Sequence, residues 1–212
     1  MGDRDAVGIP PSLLHRPLRV FRTADAAEVY VAPRPQLARL VTAGLVHRLA
    51  GGWYVIVPPE FTGLPWRPGV EAAAGGIGAA LFGTDTAVVM GLSAARVHGA
   101  VPRGLGVGIV AVPRQRRPLA LTDRAATVVF VTRAVDRIDA EMTHTEVGHL
   151  LVTGIEQTAL DLAHRPELGG LPDQAREAAV TLHARCQEKT LESLAEAQRL
   201  RAAADRLRRW AV

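Results

Sequence analysis

The chain has 212 residues, 48% of them hydrophobic, and a formal net charge of +4. That much apolar material in a chain of this length builds one or two globular domains with a core and excludes disorder over most of it. A single cysteine, Cys186, rules out an intramolecular disulfide and a thiolate zinc cluster. Lys189 is the sole lysine, so the basic charge falls to arginine, the side chain suited to paired contact with phosphate and guanine.

The N-terminal stretch MGDRDAVGIPPSLLHRP carries acids and prolines where a signal peptide would carry a long apolar run. No stretch is long and apolar enough to span a bilayer. The expectation is a cytoplasmic protein without membrane association, opening with a loose arm over residues 1–11. Residues 12–58 then hold the most informative segment, TADAAEVYVAPRPQLARLVTAGLVHRLAGGWYVIV, Thr23 to Val57. Thr23 is placed to N-cap a first helix, ADAAEVY. Pro33 and Pro35 flank Arg34 at the start of a second, QLARLVTAGL, where a missing N–H is tolerated. Leu37, Leu40 and Val41 form its buried face, and Gly44 ends it in a left-handed conformation. Leu45–Leu49 and Trp53–Val57 alternate as two strands around a turn at Ala50, Gly51 and Gly52. Helix, turn, helix and a two-stranded wing make a winged helix-turn-helix, whose second helix enters the major groove of DNA.

On that reading Arg34, Gln36 and Arg39 point away from the core, arginine suited to guanine and glutamine to adenine. Arg48 and His47 lie on the wing, and Arg16, Arg19 and Arg22 just upstream add phosphate contacts. The competing reading is a winged-helix scaffold that serves protein contacts alone.

Four prolines and two glycines in PPEFTGLPWRPG, Pro58 to Gly69, set a linker at 59–69. Residues 70–212 read as a mixed α/β domain with C-terminal helices, so the fold class expected for the whole chain is α+β. EAAAGGIGAALFG is a helix ended by Gly83, TAVVM a short strand, and AARVHGA a helix capped by Ser93. GVGIVAVP, ATVVFVTR and GHLLVT are strands, with the charged loop RQRRP between the first two. Thr153 and Glu156 form a capping box before IEQTALDLAHR. From Pro172 onward the pattern is helical, with Leu191, Leu194, Ala195, Ala197, Leu200 and Ala204 as the inner stripe of the last helix.

Ser93, His98, Glu156 and Asp161 invite a hydrolase reading, but Ser93 and His98 stand five apart and share no helical face. Structural roles are the better account. Among Glu141, His144, Glu146 and His149, only His144 and Glu146 share a strand face, which does not close a metal site. GGIGAALFG follows no strand and lacks the lysine of a nucleotide-phosphate loop. No metal and no cofactor are therefore expected.

Three phrases carry a resemblance. GLVHRLAGGWYVIVP is similar to the "gel-v-r-l-r-r-G-v-Y" phrase of AbiEi-type antitoxins, TAVVMGLSAARVHGAVPR resembles their "a-v-l-s-g-l-S-A-l-x-l-H-G-l" segment, and VTGIEQTALDLAHRP resembles their "v-t-s-x-E-r-T-l-l-D-l" segment. They stand in family order over roughly residues 20–166. Where the family often has paired basic residues before the wing glycine, this chain has Ala50 and Gly51. The resemblance implies an antitoxin partnered with a nucleotidyltransferase-like toxin, and the preferred reading of the residues assigns it no catalytic activity, with the enzyme question left open. The resemblance also implies autorepression of the operon by winged-helix binding to operator DNA. Ser93 and His98 match one set of family positions, and Glu156, Thr158 and Asp161 another, with no role assigned to any of them. Two readings stay open beside this one. The first is an antitoxin that inactivates its toxin enzymatically, for example by phosphorylation; the second is a ligand-responsive transcriptional regulator.

Charge is uneven along the second domain. Arg114, Arg116 and Arg117 cluster in one loop, as a second phosphate contact or a solvated tip. Asp136, Asp139, Glu141, Glu146, Glu156, Asp161 and Glu167 make an acidic stretch, the kind of face that steers association with a basic, RNA-handling toxin. The last helix is basic again.

Overall fold

The computed structural model describes residues 8–212. The arm expected over 1–11 thus falls outside the described residues up to residue 7; its end opens a one-turn helix, α1 (Pro11–Leu14). Among the described residues the chain is a mixed α+β protein with nine α-helices and two sheets.

The smaller sheet comes first. β1 (Val20–Arg22), β2 (Val46–Ala50) and β3 (Trp53–Ile56) pair antiparallel in the order β1-β3-β2. Strand side chains alternate between faces, and here each face has its own cover. Phe21, Val46 and Ile56 join Leu13, Ala26, Leu37 and Leu40 in one cluster, under α1, α2 (Thr23–Ala26) and α3 (Pro33–Thr42). Val20, Leu49 and Val55 turn the other way, onto α4 (Val70–Phe82).

Several local expectations are corrected here. Thr23 is the first residue of α2, not its cap; the Asp25 carboxylate instead accepts the Arg22 backbone N–H at 2.6 Å. The helix stops at Ala26, well short of Tyr30. Val41 is 38% exposed, so the buried face of α3 is Leu37 and Leu40. Ala50 belongs to β2 and pairs with Trp53 across a bulge that turns both Leu49 and Ala50 inward. That leaves Gly51 and Gly52 as the turn, with Gly52 at φ 77°.

The larger sheet has the order β6-β7-β5-β4-β9-β8. Its strands are β4 (Val88–Val89), β5 (Val107–Val112), β6 (Leu119–Ala120), β7 (Thr127–Thr132), β8 (Ala140–Thr145) and β9 (Gly148–Thr153). β5–β7 and β4–β9 are parallel and the other pairs antiparallel. β5 is buried on both faces: Val110 and Val112 meet α4, whereas Val107, Ile109 and Ala111 meet the helices opposite. Those helices are α5 (Gly91–Val97), α6 (Ile155–His164), α7 (Pro172–His183), α8 (Glu188–Ala197) and α9 (Arg201–Trp210). The single long terminal helix expected from the apolar stripe is in fact broken at Arg199, and Ala197 is exposed. Ser93 lies inside α5, whose cap position is Met90. The Thr153–Glu156 capping box does not form, because Gly154 occupies the N-cap of α6.

The proline-rich stretch packs rather than dangles. Phe61 and Trp66 stack at 5.7 Å, and Trp66 stands nearly perpendicular to the His47 ring at 6.5 Å. Beyond it, α4 is the central layer between the two sheets, and its glycines permit that. A Cβ on Gly76 would stand 2.5 Å from Val20 Cγ2 in the small sheet; one on Gly78 would stand 2.9 Å from Val110 Cγ1 in the large sheet. Gly76→Ala gains intrinsic helix propensity of about 1 kcal/mol, yet overpacking of this kind costs about 1–3 kcal/mol. We expect a net loss of stability in urea unfolding, partly recovered when Val20→Ala is added; a stabilised Gly76→Ala chain would refute the close contact.

Candidate nucleic-acid interface

Successive residues of a helix turn about 100°, so Arg34, Ala38, Val41 and Thr42 fall along one flank of α3. This flank and the β2–β3 hairpin face each other across an open groove of about 840 Å³, lined also by Thr23, Arg48, Gly52 and Tyr54. Arg34 stands on the helix wall and Arg48 on the hairpin wall, both exposed. Arg48 Nε donates to the Ala50 carbonyl at 3.4 Å, which leaves its terminal nitrogens to solvent. The exposed Val41 is an apolar strip on the groove's helix side.

The other arginines and Gln36 separate from this pair. Arg39 is exposed but lies about 140° around α3 from Arg34. Gln36 is half-buried beside the core stripe. Arg22 binds Asp25 through Nη2 at 3.1 Å and Arg16 binds Glu28 at 2.6 Å, so both guanidinium groups already have carboxylate partners. Burial would raise the Asp25 carboxyl, but hydrogen bonds from Arg22 outweigh it and hold the group below the usual carboxylate range. Arg19 is half-buried in a left-handed turn, at φ 57°.

His47 has its partner outside the groove. Its Nε2 donates to Asp123 Oδ2 at 2.8 Å, and Arg124 holds the same oxygen at 2.7 Å. The imidazole therefore ties the hairpin to the loop before β7 and does not face the groove. Asp123 stands 76 residues away, beyond the reach of any local pattern.

The motif residues each hold a joint between elements. Ser93, fully buried, accepts the Ile109 N–H on Oγ at 2.8 Å, fixing α5 to β5. His98 Nε2 donates to the Thr153 carbonyl at 2.7 Å, tying the end of α5 to the end of β9. Ser93 and His98 thus serve different partners, which is no arrangement for activating a hydroxyl. Thr158 pairs with Thr153 through their hydroxyls at 2.7 Å. Glu156 accepts the Gln187 backbone N–H at 2.8 Å, the first turn before α8. Asp161 accepts from Arg133 Nη1 at 2.6 Å and from Gln157 Nε2 at 3.0 Å. Burial pushes the Asp161 carboxyl up, and Arg133 only partly offsets it. Burial likewise drives the Cys186 thiol up to about 12, so no thiolate nucleophile forms there near neutrality.

His144 and His149 face each other across β8 and β9, with rings 5.1 Å apart. Glu146 turns away to accept the Gly69 N–H at 2.5 Å. Among the described residues, no group of three or more His, Cys, Asp or Glu could hold a metal. No helix there is long and apolar enough to cross a membrane.

Residues 86–210 match the family model of the AbiEi antitoxin C-terminal domain. The chain belongs to the AbiEi antitoxin family, which gives it the role of antitoxin in a toxin–antitoxin pair. Among solved structures it is similar to the RV2827C protein from Mycobacterium tuberculosis. The two share 18% identity over 94% of this chain and 78% of that one, with a TM-score of 0.55, a likeness of fold. No curated protein matches the chain.

The Asp123 triad has a pH signature. Burial raises this carboxyl, but the hydrogen bonds from Arg124 and His47 prevail and hold it below its ordinary 3.8. Its stabilisation is therefore complete above that ordinary value and is lost as pH falls through the lower folded value. Asp123→Asn should cost about 1–3 kcal/mol near neutrality, with the gap to the parent closing below pH 4 in acid-titrated urea melts. An equal gap at all pH values would contradict the pairing.

Proposed function

We propose that residues 12–58 are a winged helix-turn-helix that binds operator DNA and represses the antitoxin's own operon, and that residues 70–212 neutralise a nucleotidyltransferase-like toxin. One observation carries the DNA reading: Arg34 and Arg48 face one open groove from a helix and from a hairpin, and among the described residues neither has a carboxylate partner of the kind that holds Arg16 and Arg22. A helix set in a major groove with its wing beside it needs those two walls and those two charges. Arg34 and Arg39 are the base-reading candidates, at either side of the exposed arc of α3, and Arg48 and Arg19 are phosphate contacts. Gln36, half-buried, is a marginal contact, and the wing reaches DNA through Arg48 without His47.

For the toxin, the acidic stretch supplies a face. Asp161, Glu156 and Glu146 are engaged internally. Asp136, Asp139 and Glu141 are exposed around the start of β8, an edge strand that also presents Met142 at 56% exposure. Burial, and after it the like charges of Glu156 and Glu141, raise the Asp139 carboxyl from its ordinary value. Edge strands leave backbone groups open to a partner, and an acidic rim steers a basic one.

Two outcomes test these readings. In fluorescence anisotropy on DNA from upstream of the gene, Arg34→Ala should cost about 1–3 kcal/mol on the preferred sequence, whereas Arg48→Ala should weaken all sequences and reduce the salt slope by about 1. Unchanged affinity in both variants would refute the DNA reading. Charge reversal at Asp136, Asp139 and Glu141 should slow toxin association about tenfold or more at low salt, with the difference shrinking at high salt. Unaltered rates would exclude this face.

A further inference from the structure

A cleft of about 610 Å³ opens where the end of β7, the end of α6 and the α8–α9 junction meet. That is within the range of small-molecule sites, roughly 300–1,000 Å³. Arg133, Arg137, Arg165 and Arg199 line it against one carboxylate, Asp161. Arg133 and Asp161 satisfy each other at 2.6 Å. Arg137, Arg165 and Arg199 are exposed on the remaining wall, and among the described residues none of the three makes an ion pair. Three guanidinium groups around one concavity repel each other until an anion arrives. The walls are also tied together: Gln198 donates to the Arg137 carbonyl at 3.1 Å and accepts from Arg133 Nη2 at 2.9 Å.

The backbone supplies a second, independent observation. Three helices end in the same turn, with an N–H bonded five residues back. α3 does so after Gly44 (φ 70°, Leu45 N–H to Leu40 carbonyl, 3.0 Å), and α5 after Gly99 (φ 76°, Ala100 to Ala95, 2.8 Å). α8 does so after Arg199 (φ 58°, Leu200 to Ala195, 2.7 Å). Glycine enters this left-handed region without steric cost and arginine does not. The residue that bears the strain, Arg199, is one of those lining the basic cleft, and strain of this kind gathers at ligand sites.

We propose that this cleft binds a small phosphate-bearing molecule with at least two negative charges, held by Arg137, Arg165 and Arg199 above the Arg133–Asp161 pair. Three unneutralised cations match a pyrophosphate or phosphomonoester better than a single carboxylate, and guanidinium forks fit phosphate oxygens two at a time. The site is separate from the groove of α3 and does not rest on the DNA reading.

Pyrophosphate is the probe, added to the full chain in thermal unfolding and equilibrium dialysis, with sodium chloride at matched ionic strength as the control. Pyrophosphate should raise the melting temperature above the chloride control. Arg199→Gly should weaken binding about tenfold or more, yet leave the ligand-free melting temperature unchanged or higher, since the left-handed strain is gone. Arg165→Ala should weaken binding too, and Arg39→Ala on α3 should leave it intact. A shift no larger than that with chloride, or binding retained in both Arg199→Gly and Arg165→Ala, would overturn the assignment. Equal loss in Arg39→Ala would place the anion elsewhere and overturn it as well.

Discussion

The contact between α4 and the small sheet decides what the rest of the molecule can present. Gly76 lets Val20 approach so closely that no side chain fits between them, and Leu18, Leu49, Trp53 and Val55 extend the same apolar cluster onto α4. A sheet buried on one face by α4 has its other face left for α1, α2 and α3. The outer flank of α3 is therefore on the side of the small sheet away from α4. The groove between Arg34 and Arg48 is open because of where Val20 and Val55 point.

The same seam accounts for the division of labour among polar residues. His47 is on the strand that carries Arg48, and neighbours on a strand face opposite ways. One is drawn into the Asp123–Arg124 network and the other is left in the groove. Around the large sheet, Ser93, His98 and Thr158 join α5 and α6 to β5 and β9, and Asp161 joins α6 to Arg133 just after β7. Their spacing in sequence serves the layering of helix on sheet, and a functional surface has to be sought on what these joints leave exposed.

Much of this was legible in the chain, for physical reasons that differ by element. β5, β7 and β9 are continuous or alternating apolar runs, and Gly83 and Pro172 punctuate their helices, so periodicity alone locates them. β1 has three residues and β6 two, too few for any period to register. β8, AEMTHT, is a polar edge strand defined by its pairing with β9, not by its own composition. Val41 stands at helical spacing from Leu37 but on the groove side of the stripe, where an apolar side chain is tolerated without being buried. The break at Arg199 was hidden because arginine there does what glycine does after α3 and α5. The partners of His47 and Asp161 are set by tertiary approach, at separations of 76 and 28 residues, and no local signal names them.

The account as a whole turns on whether the Arg34–Arg48 groove lies on DNA. A DNA-cleaving iron chelate can be tethered at Gly51→Cys, an exposed turn position beside Arg48 where a Cβ meets nothing within 4 Å, in a Cys186→Ser background, with Arg201→Cys on the exposed face of α9 as the remote control. The account predicts cuts at a defined site upstream of the gene from the tether on the hairpin and none above background from the tether on α9. Cutting that is absent from both positions, or equal at the two, would contradict it.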